Sequence, residues 1–185
     1  MKMNSRDWVF VTGKAFSGKT HWIRAHMAAM PKSRLTFIYD FTAEYTDLAK
    51  QKNIKVWQVE KGTPDEIVSF TNQVYNQGNC TVVMSESDNY LRMNHPVLLA
   101  FVTTGRNRGV NAIIDAKRPM SVKPEYRGRF NHLILFQTTL PDDIEYLEAW
   151  AGSGKGSLAK LTTLKQGEFI HVNTDTQEIS EIKRL

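Results

Sequence analysis

The chain is 185 residues long, 41% hydrophobic and 23% charged, the make-up of a soluble globular protein with one sizeable core. Its longest apolar runs are only strand-length, so no membrane span is expected, and its first seven residues lack the apolar centre of a signal peptide. A single cysteine, Cys80, excludes an internal disulfide, and the net charge of +5 fits phosphate-rich partners.

The first strand is expected over Asp7 to Thr12, a compact β-branched and aromatic run. It enters Gly13-Lys14-Ala15-Phe16-Ser17-Gly18-Lys19-Thr20, of the form G-x-x-x-x-G-K-T, followed by a Gly- and Pro-free stretch from His21 to Met30. Strand, loop and helix in that order are the context of the phosphate-binding loop of nucleoside triphosphatases. Its glycines let backbone N–H groups turn inward on the phosphates, Lys19 reaches the β- and γ-phosphates, and the Thr20 hydroxyl ligates Mg²⁺. ATP and Mg²⁺ are therefore the expected cofactors, held by residues 13–20.

Leu35 to Asp40 reads as a buried second strand ending on an acid, Ala43 to Lys52 as a helix, and Ile54 to Val59 as a third strand. Thr63-Pro64-Asp65-Glu66 is a helix start with Thr63 as cap and Glu66 closing a capping box. That helix should stop at Gln77-Gly78-Asn79. Cys80, a small buried hydrophobe by position, opens the strand Thr81 to Met84, which delivers Ser85 and Glu86 at its C-terminal end. A helix from Pro96 to Thr103, a break at Gly109, a strand from Val110 to Asp115 and a basic connector from Pro119 to Arg129 follow. His132 to Gln137 is a strand, Pro141 to Trp150 a helix, residues 152–156 a flexible loop, and Gly167 to Val172 with Glu178 to Ile182 a closing hairpin.

Strands that are unbroken apolar runs, alternating with helices, imply an α/β fold. The expectation is a three-layer sandwich around a mostly parallel sheet, residues 1–185 forming one domain. Ligands of such sheets bind at the C-terminal ends of strands, where Gly13, Asp40, Glu86 and Lys117 fall. Glu86 is placed to orient or deprotonate a water opposite the γ-phosphate. Ser85 stands where a metal-associated Asp is usual; Ser85 could hold a metal-bound water, or Asp88 could substitute from the following turn. Between Thr104 and Phe130 the chain carries the whole net +5, from Arg106, Arg108, Lys117, Arg118, Lys123, Arg127 and Arg129 against Asp115 and Glu125.

Three blocks carry a family resemblance. Residues 39–48, with Asp40, Glu44, Tyr45 and Leu48, resemble the D-x-x-x-E-Y-x-x-L after strand two in the HerA/FtsK superfamily of DNA-pumping ATPases. Thr104 to Pro119 looks like that superfamily's G-R-x-x-G, apolar strand, Q-R-P block. Leu161 to Phe169 is similar to its L-x-x-L-x-x-G-E/D ending. Without an appended domain, the chain looks most like the small genome-packaging ATPases of tailless, membrane-containing double-stranded DNA viruses. The resemblance implies a RecA-like additional-strand ATPase that translocates double-stranded DNA as a homo-oligomeric ring, a hexamer or pentamer. Its site of action would be the host cytoplasm and the packaging vertex, beside a capsid or membrane-vertex protein. Arg106 matches the arginine finger that enters the neighbouring subunit's site, with Arg108 as the fallback. By the same resemblance Asp40 and Glu44 would serve the metal and water network or the subunit contact. Lys117 replaces the Gln that senses the γ-phosphate, and Arg108, Lys123, Arg127 and Arg129 are candidate DNA contacts. The rival reading is a small-molecule kinase with Lys117–Arg129 as an arginine-rich lid.

Overall fold

A computed structural model describes residues 7–92 and 95–185; the remainder of the signal-peptide reading, residues 1–6, lies outside the described residues. Nine strands join one sheet: β1 (Trp8–Thr12), β2 (Thr36–Asp40), β3 (Ile54–Gln58), β4 (Thr81–Met84), β5 (Asn111–Ala116), β6 (His132–Leu135), β7 (Glu168–Asn173), β8 (Glu178–Ile179) and β9 (Lys183–Arg184). The order is β3-β2-β4-β5-β1-β6-β7-β8, with β9 paired to the other end of β7. From β3 to β6 every pairing is parallel, while β7 runs antiparallel to β6, and β8 and β9 antiparallel to β7. β5 therefore stands between β1, which leads into the phosphate loop, and β4, which leads into Glu86.

The strand side chains alternate between two apolar clusters. Trp8, Phe10, Val82 and Ile114 face one side with Phe70 and Val74; Val9, Val11, Val83 and Ile113 face the other with Trp22 and Ile23. Burial on both faces explains why these strands read as continuous apolar runs instead of alternating ones. Five helices complete the described chain: α1 (Lys19–Ala28), α2 (Pro64–Gln77), α3 (Pro96–Thr104), α4 (Pro124–Arg127) and α5 (Pro141–Ala151). Among the described residues no helix is long and apolar enough to cross a membrane.

Two local expectations are corrected. Residues 43–52 form no α-helix, only a single tight turn over Thr46–Lys50. The Asp40 carboxylate intercepts the chain first, accepting from the backbone N–H groups of Glu44 at 3.1 Å and Tyr45 at 2.9 Å. An acid side chain that offers the backbone such an alternative partner competes directly with helix formation. At the start of α2, Thr63 caps as expected, accepting from Glu66 N–H. Glu66 instead reaches past the cap, accepting from the N–H groups of Glu60, Lys61 and Gly62. It pins the β3–α2 connection as an anion facing three donors.

Candidate active site at the C-terminal strand edge

The parallel strands bring the ends of β1, β4 and β5 side by side, and a cleft of about 360 Å³ opens over them. Its walls include Phe16, Lys19 and Thr20 from the phosphate loop and α1, Glu44 from the loop after β2, Glu86, Asp115 and Lys117. The loop closes on itself because Gly13 and Gly18 take φ values of 146° and 116°, the left-handed side that glycine alone enters easily. A Cβ at Gly13 would lie 2.6 Å from the Phe136 Cβ, so the glycine is also required by the close passage of β6's end. Lys14 N–H donates to the Gln137 carbonyl at 2.9 Å and fixes the loop to that strand end.

Lys19 is buried, its Nζ donating to the carbonyls of Gly13 at 2.8 Å and Lys14 at 3.1 Å. A lysine ammonium carries three donors, so two on loop carbonyls leave a third for a phosphate oxygen. Burial pushes its pKa below the usual lysine range, opposed by the charges of Asp115 and Glu86. The first turn of α1 adds backbone N–H groups with no intrahelical acceptor, a ready anion site. The buried hydroxyls of Thr12, Ser17 and Ser87 surround the same edge without partners among the described residues.

Glu86 follows β4 in a left-handed conformation, φ 54° and ψ 47°, which for a residue with a Cβ stores strain of a kind that clusters at functional positions. Its N–H donates to Asp115 Oδ1 at 3.3 Å, and its carboxylate pairs with Lys117 Nζ at 2.7 Å. That pair raises the Lys117 pKa, the hydrogen bond to Glu86 being the main cause. Asp115, at the end of β5, is almost fully buried; desolvation pushes its carboxyl up to about 7 against the attraction of Lys19. Asp115 ends the strand expected over Val110 to Asp115, the same kind of position that marks Asp40, but by sequence it reads only as a counter-charge to the basic stretch.

The residues expected at the metal are redistributed. Thr20 is in the cleft, its hydroxyl donating to Glu44 Oε2 at 2.8 Å. Asp40 is fully buried and spends its carboxylate on the Glu44 and Tyr45 N–H groups. The Ser85 hydroxyl donates to Tyr39 O at 3.1 Å and accepts from Phe41 N–H at 2.9 Å. Asp88 accepts from the N–H groups of Lys117 and Arg118. Asp40, Ser85 and Asp88 thus hold backbone, and none lines the cleft. Oxygen donors at Thr20, Glu44 and Asp115 suit magnesium, which takes one or two protein groups plus phosphate and water. Accordingly, among the described residues no three His, Cys, Asp or Glu side chains converge to hold an ion unaided.

The arginines lie elsewhere. Arg106 and Arg108 form a turn before β5, and six strand residues at about 3.3 Å each place them about 20 Å from the cleft at the strand's other end. Arg106 is fixed there, donating to Arg129 O and to Asn131 Oδ1; Arg108 is exposed, its Nε donating to Tyr75 O at 3.4 Å and its guanidinium 5.4 Å from the Tyr75 ring. The basic stretch is no single patch, because it runs from the C-terminal edge at Lys117 down to the N-terminal edge at Arg129. On the way Arg118 pairs with Asp143 at 3.1 Å, Arg127 stacks on Tyr146 at 4.3 Å, and Val122 and Tyr126 are buried. Lys123 is half-buried and Arg129 exposed.

No protein-family model and no curated protein matches the chain in sequence. Its fold is similar to that of B204, the DNA-packaging ATPase from Sulfolobus turreted icosahedral virus, at TM-score 0.84 and 20% identity over 99% of this chain and 100% of that one. The genome-packaging NTPase B204 of Sulfolobus turreted icosahedral virus 2, in complex with ATP-γ-S, superposes at TM-score 0.81, 19% identity, 99% and 100% coverage. VirB4 of Thermoanaerobacter pseudethanolicus follows at TM-score 0.70 and 9% identity, covering 100% of this chain and 91% of that one. The fold is thus shared with these three proteins.

Proposed function

We propose that the chain hydrolyses ATP and uses it to move double-stranded DNA, packaging a viral genome as a ring of identical subunits. What carries the reading is the cleft itself, where a phosphate loop with a buried lysine faces a glutamate across an intervening strand. The likeness in fold to packaging ATPases over the full length of both chains points the same way. On this reading the 185 residues act as one ATPase domain. The sheet is the middle of a three-layer sandwich, β7 and β8 are its closing hairpin, and the protein works in the host cytoplasm and at the packaging vertex.

Lys19 and the first-turn N–H groups of α1 bind the β- and γ-phosphates and orient the terminal phosphoryl group. Magnesium, held by Thr20 with Glu44 nearby, would neutralise charge on the phosphate oxygens. Glu86 accepts the proton of the attacking water or orients it. Lys117 pairs with that carboxylate; a γ-phosphate beside Lys117 would offer its ammonium a second anion and so share it with Glu86. Among the described residues Arg106 and Arg108 both lie at the N-terminal edge, so on this reading a finger comes from a neighbour, and Arg108 is the exposed candidate where Arg106 is bonded to Arg129 and Asn131.

The test is ATPase rate with and without double-stranded DNA over a range of protein concentrations, with Lys19→Ala as control. Stimulation by DNA, a steep rise with concentration and loss of turnover in Lys19→Ala are expected. Phosphate transfer to a nucleoside or metabolite, or full activity in Lys19→Ala, would end the proposal.

A further inference from the structure

The position after β4 that would ordinarily carry a metal-associated acid holds Ser85, whose hydroxyl is consumed by β2 backbone on both sides. An acid is nevertheless present one strand closer to the phosphate loop. β5 pairs with β1 so that Asp115 lies beside Val11, two residues before Gly13. Two residues earlier on β5, Ile113 packs in the same cluster as Trp22 and Ile23 of α1. Strand side chains alternate, so Asp115 shares that face and emerges beneath the start of α1, where Lys19 and Thr20 sit. It lines the cleft with both of them, and it is close enough to Lys19 that each favours the other's charged form.

We propose that Asp115, and not the residue following β4, is the acid that holds the water shell of the nucleotide-bound magnesium, acting as a positioning residue. The inference rests on the nucleotide-site reading above. Three features support it together. The carboxylate is desolvated, so a cation nearby gains more from it than from an exposed acid. One of its oxygens already fixes the Glu86 N–H, which ties the metal's surroundings to the residue that handles water. Among the other acids near the cleft, Asp40 and Asp88 each hold two backbone N–H groups, Glu86 is paired with Lys117, and Glu44 accepts from the Thr20 hydroxyl.

The test measures Mn²⁺ binding by electron paramagnetic resonance at saturating non-hydrolysable ATP analogue. The proteins are the wild type, Asp115→Asn and Ser85→Ala. Asp115→Asn keeps an oxygen for the Glu86 N–H and removes the charge. It should weaken Mn²⁺ about 10- to 100-fold, the usual loss when an outer-shell partner is removed. Nucleotide affinity in EDTA should stay within about twofold of wild type, which a merely structural defect would not allow. Ser85→Ala should leave Mn²⁺ affinity unchanged. If Asp115→Asn does not yield folded protein, Asp115→Ser supplies the same readout, and Asp115→Glu should recover part of the metal affinity. Mn²⁺ affinity indifferent to Asp115 but lowered in Ser85→Ala would overturn the inference while leaving the nucleotide site standing. Failure of the wild-type chain to bind the nucleotide either in EDTA or with Mn²⁺ would overturn both.

Discussion

The two edges of the sheet hold the same kinds of charged side chain and use them in opposite ways. At the N-terminal edge, cations are satisfied by neutral oxygens: Arg34 donates to the carbonyls of Cys80 and Gly109 and to Asn111 and Thr81, and Arg106 to Arg129 O and Asn131. At the C-terminal edge, Lys19, Glu86, Asp115 and Lys117 face one another across a cleft, and burial moves Lys19 and Asp115 away from their usual pKa values. A charge whose partners are all neutral oxygens is spent on holding chain segments together. A charge whose partners are other charges can be reassigned when a ligand arrives, so the arrangement of partners separates structural arginines from working ones better than position in the sequence.

The largest effect that would sharpen this contrast is at Arg108. Arg108→Ala should lower turnover of the assembled protein by about 10³- to 10⁵-fold, the range of a finger supplied in trans, with nucleotide affinity nearly intact. Mixing it with Glu86→Gln should restore part of the rate, since one interface in the mixture pairs an intact finger with an intact Glu86; no recovery at any ratio would rule out action in trans. Arg106→Ala, by contrast, should lower the melting temperature more than the rate of the folded fraction. At the cleft, Glu86→Gln should slow hydrolysis by about 10²- to 10⁴-fold, the scale of a lost general base. Nucleotide binding and thermal stability should remain, and near-normal turnover would remove Glu86 from the mechanism.

Arg34→Leu attacks the other edge. Losing charge-assisted hydrogen bonds and stranding their acceptors should cost about 2–3 kcal/mol in denaturant unfolding, with nucleotide affinity unchanged. Proton linkage separates the edges as well. Asp115 has a folded pKa near 7, raised above the unfolded value, so the folded chain binds the extra proton between about pH 4 and 7. Stability should therefore fall as pH rises through that window, and Asp115→Asn should flatten this part of the profile. His171, beside His132 at 3.1 Å, is depressed to about 4 by burial, so the stability of its neutral form is lost as pH falls from about 6.5. His171→Gln should therefore remove a slope of opposite sign; identical pH profiles in all three proteins would contradict both assignments.

Much of the site was legible because its chemistry is local. Residues 13–20 state their backbone requirement in consecutive letters, and the strand after Cys80 announces Glu86 by its apolar run. What could not be read depended on side chains meeting across strands. Asp40 looked like a metal acid until it bonded its own loop at Glu44 and Tyr45, and that same capture removed the expected helix over residues 43–52. The role of Asp115 could not be read because it comes from β5 lying next to β1, a pairing about a hundred residues apart. Arg106 and Arg108 share one motif, and only Asn131 and Arg129, from the far end of the connector, distinguish them.

The strand inserted between β1 and β4 also acts as a ruler. Neighbouring strands stand about 4.8 Å apart, so a group at the end of β5 is one division from the phosphate loop and a group at the end of β4 is two. Asp115 is therefore graduated for the phosphates and what accompanies them, and Glu86 for whatever lies one small molecule further out. About 9.6 Å between the strand carrying the loop and the strand carrying Glu86 leaves a gap into which a phosphoryl group and a water fit in series. Removing β5 from the order would close that gap and bring the glutamate against the phosphate, where two anions repel and no water can stand.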